Sequence, residues 1–243
     1  MSDTELRLEP LPHTPGRRVE QVAAAIRAAI DAGVMSPGVK YSAYQLSDLL
    51  GVSRTPVRDA LLRLEEVGLI QFEARQGFRI VLPHPQEIAD IFAVRIALEV
   101  PAVRRAASKA DPATVEALEI HVARMHTAVD ADDEAALAHH DLSFHDAILD
   151  AAGNESARKI VASLRESTRL LGATTGQRSR TLADIDDEHA PILKAIADND
   201  PNAAEIAMRE HLAATGRLLV TQAIDEQGLE LDTESIWANA TAE

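Results

Sequence analysis

Residues 42–61 read Ser42-Ala43-Tyr44-Gln45-Leu46-Ser47-Asp48-Leu49-Leu50-Gly51-Val52-Ser53-Arg54-Thr55-Pro56-Val57-Arg58-Asp59-Ala60-Leu61, and this stretch decides the N-terminal fold. Ser42 with Gln45 three residues on has the form of a capping box, so a helix starts here. Leu46, Leu49 and Leu50 give it one apolar side, and Gly51 stops it. Ser53 caps a second helix, with Pro56 in its first turn, where a missing N–H costs nothing. Val57, Leu61 and Leu64 form the buried stripe of that helix, which Gly68 ends. The stripe leaves Arg54, Thr55 and Arg58 outside.

Upstream, Val19, Val22, Ile26 and Ile30 recur at helical spacing, with Gly33 at the left-handed cap and Ser36-Pro37-Gly38 as a turn. Downstream of Gly68 the period becomes two. Ile70, Phe72 and Ala74 alternate with polar residues, then Phe78, Ile80 and Leu82 do the same, and Arg75-Gln76-Gly77 joins the runs into a β-hairpin. Three helices and a hairpin make a winged helix-turn-helix. Arginines at i and i+4, Arg54 and Arg58, can each fork to O6 and N7 of a guanine in the major groove. Thr55 and the helix N-terminus suit a phosphate, and the hairpin tip suits backbone or minor-groove contact. On spacing alone, Arg54 and Arg58 as solvated surface residues is an equally open reading.

Pro83-His84-Pro85 forms a linker, because two prolines forbid both helix and ladder. Gln86 to Gln227 reads as helix, broken at Asp111-Pro112, Asp130 to Asp133, Gly153-Asn154, Gly172 to Arg180 and Asn199 to Asn202. That gives about six helices in an antiparallel bundle. Pro101 should kink the first of them, and Pro191 sets a helix start a few residues earlier. The expected fold is mainly α, divided into a flexible segment 1–16, a winged helix-turn-helix 17–82, a linker 83–85, a helical domain 86–227 and a loose tail 228–243.

The charge follows this division. The 243 residues carry a net −15, but residues 10–82 hold nine Lys/Arg against seven Asp/Glu, a net +2, while residues 83–243 hold fourteen against twenty-nine. The first unit can face phosphates and the second repels them. No cysteine is present, which excludes disulfides, thiolate metal sites and thiol catalysis and fits a reducing cytoplasm. No apolar run approaches the roughly 20 residues of a membrane span, and no secretory signal is visible.

In the acidic unit, Asp141 and His145 are four residues apart, so they share a helix face and can chelate a divalent ion. His189 and His211 fall on two later helices that can converge on them in a bundle. Three imidazoles and a carboxylate suit zinc first, with nickel or manganese as alternatives. A surface Asp/His pair remains open as the other reading. His139 and His140 point to other faces of the same helix.

Gly51 to Leu61, with Leu64-Glu65, Gly68-Leu69-Ile70 and Gly77-Phe78, resembles the signature of the GntR-type winged helix. The resemblance implies Arg54, Thr55 and Arg58 as DNA contacts and Gly77 at the wing tip. Tyr44 lies where some relatives carry an arginine to DNA. Arg95-Ile96-Ala97-Leu98-Glu99, Asp141 to His145, Glu188-His189 with Ile192-Leu193 and Ala195-Ile196, and Arg209-Glu210-His211-Leu212 resemble the helical ligand-binding FCD domain of the FadR subfamily. Its metal-binding branch implies Asp141, His145, His189 and His211 as ligands. It also implies Arg95 as a pocket arginine for an acidic effector, beside the alternative of an i,i+4 salt bridge to Glu99. The implied protein is a cytoplasmic homodimeric repressor, not an enzyme. It reads a short inverted repeat and is released by a small carboxylic acid bound beside the metal. A metal-dependent hydrolase and a regulator with a purely structural metal are the competing expectations.

Overall fold

The structure, a computed structural model, describes residues 6, 8–11, 18–66, 68–73, 77–81, 83–175 and 181–241. It divides into two compact units, Met1–Pro83 and His84–Glu243.

In the first unit, α1 (Arg18–Asp31), α2 (Ala43–Leu50) and α3 (Arg54–Glu66) pack beside a three-stranded sheet of β1 (Lys40–Tyr41), β2 (Ile70–Glu73) and β3 (Gly77–Ile80). The sheet order is β1-β3-β2, both pairings antiparallel, with Phe72 opposite Phe78 and Tyr41 opposite Phe78 on the other side. Val22, Ile26, Leu46, Leu50, Val57, Leu61, Leu64 and Phe78 are fully buried, so the apolar stripes read from the sequence face one core. The two-residue β1 is new: its residues carry no alternation to signal it. The Ser42 hydroxyl caps α2 by accepting from the Tyr44 N–H at 3.2 Å, one residue earlier than a capping box requires. Gly77 has φ +97°, and a Cβ there would lie 2.1 Å from the Tyr41 carbonyl oxygen. The close approach of β1 to β3 therefore accounts for this glycine. The hairpin tip at Arg75-Gln76, the strand ends Ala74 and Leu82, and most of segment 1–16 lie outside the described residues.

In the second unit, α4 (Pro85–Lys109) and α10 (Pro201–Gln227) are the long central pair, flanked by α5 (Pro112–Asp130), α6 (Glu134–Ala151), α7 (Glu155–Thr175), α8 (Leu182–Asp187), α9 (Ala190–Ala197) and α11 (Thr233–Thr241). Pro85 is the first residue of α4 rather than the end of a linker. His84 is its N-cap, accepting from the Gln86 N–H at 3.3 Å while Glu87 accepts from the His84 N–H at 2.9 Å. A proline suits that position because its missing N–H has no helical partner there. Asp111 and Asp133 cap α5 and α6, Asn154 accepts from the Ala157 N–H at 3.1 Å, and Asp200 caps α10. The helix α7 continues past Gly172 to Thr175, and residues 176–180 lie outside the described residues. Pro191 stands in the first turn of α9 and separates it from α8, so two helices replace the one expected there. No helix among the described residues is long and apolar enough to cross a membrane.

Within the expected loose tail, Thr233–Thr241 form a docked helix, α11. Trp237 is fully buried, its ring centre 6.3 Å from that of Phe92 on α4, with the Arg217 guanidinium 4.9 Å from the ring centre on α10. The slot exists because residue 216 is glycine. A Cβ there would meet the Trp237 ring at 2.3 Å and Phe92 at 2.9 Å. Buried Trp237 and Ile236 supply the apolar area that holds this nine-residue helix against the bundle. Gly216→Ala is expected to cost about 1–3 kcal/mol by overpacking. A lower melting temperature with red-shifted emission from the single tryptophan checks this, and an unchanged spectrum and melt would overturn it.

Candidate functional site

The helix α6 carries Asp141 and His145 one turn apart, as the i,i+4 spacing requires. His189 sits at the N-cap of α9, and His211 lies in the middle of α10. One ligand atom from each of these four residues lies within 4.8 Å of the others. The ring centres stand 4.8 Å (His189–His211), 5.2 Å (His145–His211) and 5.8 Å (His145–His189) apart. Imidazoles that share one ion at an N–metal distance of about 2.1 Å have ring centres roughly 5 Å apart. Phe144 packs edge-on against His145 and His189, with ring centres 5.9 and 5.2 Å away. All three histidines are buried.

Each imidazole is oriented from behind. His145 Nδ1 lies 2.6 Å from Glu99 Oε2, His189 Nδ1 lies 2.9 Å from the Ile185 carbonyl oxygen, and His211 Nδ1 lies 2.9 Å from Glu188 Oε2. With Nδ1–H donating to these acceptors, Nε2 of His145 and of His211 is left with its lone pair, the ligating form, while His189 Nε2 is engaged by Asp141. His189 Nε2 is 2.9 Å and His145 Nε2 is 3.7 Å from Asp141 Oδ1. His145 Nε2 is buried and has no hydrogen-bond partner. A buried polar atom in that state is costly unless something satisfies it.

Protonation favours ligation. Burial pushes the His145 imidazole down to about 3, with the Arg165 charge adding to it and Glu99 opposing it. Burial also lowers His211, against the pull of Glu188. Burial alone would raise the Asp141 carboxyl, but Arg165 and the His189 hydrogen bond outweigh it and hold Asp141 well below the usual carboxylate range. Burial likewise opposes ionisation of Glu99, and Arg95 and His145 overcome it. The set at neutral pH is two neutral imidazoles and two ionised carboxylates.

Arg95 stands 2.7 Å from Glu99 through Nε, both groups buried, with its guanidinium 4.7 Å from the Phe92 ring centre. The i,i+4 ion pair is thus what the structure shows at Arg95. Three residues of the site were not singled out from the sequence. In the sequence Glu99 reads only as a partner of Arg95, Glu188 only as a motif neighbour of His189, and Arg165 on α7 carries no signal of its own. Arg165 bonds Asp141 Oδ2 through Nη2, is 8% exposed, and has a buried Nε without a hydrogen-bond partner. Arg165 lies 24 residues beyond Asp141, past the turn at Gly153 that folds α7 back onto α6, so no local spacing signals it. His139 and His140 stay apart from the cluster: they contact one another, and His140 contacts His121, at ring distances of 5.0 and 5.9 Å.

On α3, Val57, Ala60, Leu61 and Leu64 are buried, while Arg54, Thr55 and Arg58 are exposed. The Arg54 guanidinium lies over the ring of Tyr44, 4.5 Å from its centre.

The family model for bacterial regulatory proteins, gntR family, matches residues 18–80, and the model for the FCD domain matches residues 90–214. The chain is 27% identical over 183 residues to the HTH-type transcriptional regulator YdhC of Bacillus subtilis, covering 74% of this chain and 80% of that one. It is 25% identical over 193 residues to the HTH-type transcriptional repressor RspR of Escherichia coli, covering 79% and 85%. The solved structure of E. coli McbR/YncC superposes with a TM-score of 0.71 at 21% identity, covering 84% of this chain and 98% of that one.

The histidines generate a pH prediction for chelator-treated protein. An unfolded histidine takes up a proton near pH 6.5, whereas folded His145 resists protonation until about pH 3. Below pH 6.5 the unfolded state therefore binds more protons, so folding stability falls as pH drops from 6.5. The depressed Glu99 and Asp141 add to the loss in more acidic solution. Urea midpoints measured at pH 7.5, 6.0 and 5.0 should fall in that order, and a flat profile would overturn the assignment of neutral buried imidazoles.

Proposed function

The chain belongs to the gntR family of bacterial regulatory proteins and carries an FCD domain, and from that premise we propose that it is a repressor released from its operator by a small organic acid bound beside a divalent metal. It is a transcriptional regulator and not an enzyme. The observation that carries the metal reading is the convergence of Asp141, His145, His189 and His211 with every Nδ1 occupied from behind and His145 Nε2 buried without a partner. The donor set of three nitrogens and one oxygen suits zinc, nickel or manganese. When bound, the ion supplies Lewis-acid coordination to a carboxylate.

Charge balance argues for an anionic effector. Arg95 and Arg165 are offset by Glu99 and Asp141, all nearly inaccessible except Asp141, while Glu188 is 27% exposed and partly screened by water. A divalent ion then leaves excess positive charge in a site that water cannot fully screen, and an acid's carboxylate offsets it. Arg165, with its unpartnered Nε, is the better-placed cation to receive that acid. Arg95 contributes by fixing Glu99.

On α3, Arg54 and Arg58 read guanines by bidentate forks while Thr55 contacts a phosphate, and a homodimer presents two such helices to an inverted repeat. Gly77, at the base of the wing, contacts the DNA backbone through its main chain. Ligand and operator are coupled, typically by 1–3 kcal/mol, about 5–150-fold in affinity.

Calorimetric titration of small carboxylic acids into metal-loaded and chelator-stripped protein, each with and without operator, tests the reading. Binding is expected only to loaded protein, and operator is expected to weaken it. An acid that binds stripped protein equally well would make the metal structural. His189→Ala and His211→Ala should lower the metal content found by elemental analysis, and His139→Ala should not. Arg58→Ala should leave the melting temperature near wild type and cost about 1–3 kcal/mol of operator affinity, relaxing preference at one base. Wild-type base preference in a gel-shift titration would overturn that contact.

A further inference from the structure

We infer that Tyr44 is a positioning residue for base reading, one that holds the Arg54 guanidinium by stacking and so sets preference at the base Arg54 contacts. The inference rests on the reading of Arg54 as a DNA contact. Tyr44 is one of two tyrosines in a chain with 3% aromatic residues, yet it is 56% exposed and contributes nothing to the core. Its ring instead lies under Arg54, 4.5 Å from ring centre to guanidinium carbon.

The two residues are ten apart in sequence and are brought together by a rigid turn. Gly51 takes φ +63° to close α2. The Ser47 hydroxyl donates to the Val52 carbonyl oxygen at 2.6 Å, and the Val52 N–H donates to the Ser47 carbonyl oxygen at 3.1 Å. Ser42 caps the first turn of α2 through the Tyr44 N–H itself. The start of α2 and the start of α3 are therefore fixed to one another within the winged unit, and the stack follows from that fixed geometry.

A stacked ring covers a face of the guanidinium and leaves its in-plane N–H groups free, and those are the groups that fork to O6 and N7 of guanine. An exposed arginine otherwise samples many rotamers and must be ordered at the moment of binding. Stacking orders it beforehand, so it favours the base contact without adding a contact of its own. An arginine at position 44 would repel Arg54. The tyrosine gives up that charge and steadies its neighbour.

The test uses the full chain and the consensus duplex that it recovers from a randomised pool. Tyr44→Ala is expected to weaken consensus binding roughly two- to fivefold, the worth of an exposed stack. It should relax preference at the same base pair as Arg54→Ala and leave affinity for non-specific duplex unchanged. Tyr44→Phe keeps the ring and should behave as wild type. The double variant Tyr44→Ala with Arg54→Ala should be no weaker than Arg54→Ala alone, because the two act through one contact. Additive losses, a loss in Tyr44→Phe equal to that in Tyr44→Ala, or relaxation at a different base pair would each overturn the inference. If Arg54→Ala and Arg58→Ala both keep wild-type base preference, the reading of α3 fails and the inference with it. If they relax it while Tyr44→Ala does not, only the role of Tyr44 falls.

Discussion

The hydrogen bond between Glu99 and His145 is the constraint on which the second unit's chemistry depends. Both side chains are buried, and their 2.6 Å contact spans 46 residues of sequence to tie α4 to α6. Glu99 is ionised in a place where a lone carboxylate is strongly disfavoured, and it remains so only because Arg95 bonds one of its oxygens and His145 the other. The same bond fixes the tautomer of His145, and that tautomer determines which nitrogen faces Asp141. Removing Arg95 would therefore be felt at the Asp/His cluster, although Arg95 itself lies outside it.

Asp141 occupies the opposite position. Its Oδ1 faces His189 and His145, and its Oδ2 faces Arg165. One carboxylate thus joins the imidazole cluster to the cation on α7, and α7 is itself pinned to α6 by Arg158, whose guanidinium bonds Asp146 at 2.6 and 2.7 Å and Asp150 at 2.9 Å. Among its described residues the first unit has no comparable buried charge. It is held by an apolar core and by capping and turn hydrogen bonds, with ion pairs such as Arg63–Glu20 and Lys40–Glu73 at its surface.

Much of this was legible in the sequence because the signals were local. Caps, glycines and prolines punctuate the helices at Gly51, Asp111, Gly153 and Asp200, and the i,i+4 step from Asp141 to His145 is a property of any helix. What was not legible depended on long-range packing. The docking of α11 needs the absence of a side chain at Gly216, which looks like an ordinary helical glycine in the sequence. Arg165 and Glu99 join the site from helices whose approach to α6 no local pattern announces. The two-residue β1 exists only as an edge for β3. Pro101 lies inside α4, which continues past it to Lys109.

The centre's four inward-facing groups offer only imidazole nitrogen and carboxylate oxygen, and the chain contains no cysteine. Oxidants that silence thiolate-based sensors by forming sulfenic acids or disulfides find no such atom here. Soft monovalent ions that prize sulfur gain little from these donors. The four groups that converge here therefore keep the same donor atoms whether the surrounding solution is oxidising or reducing.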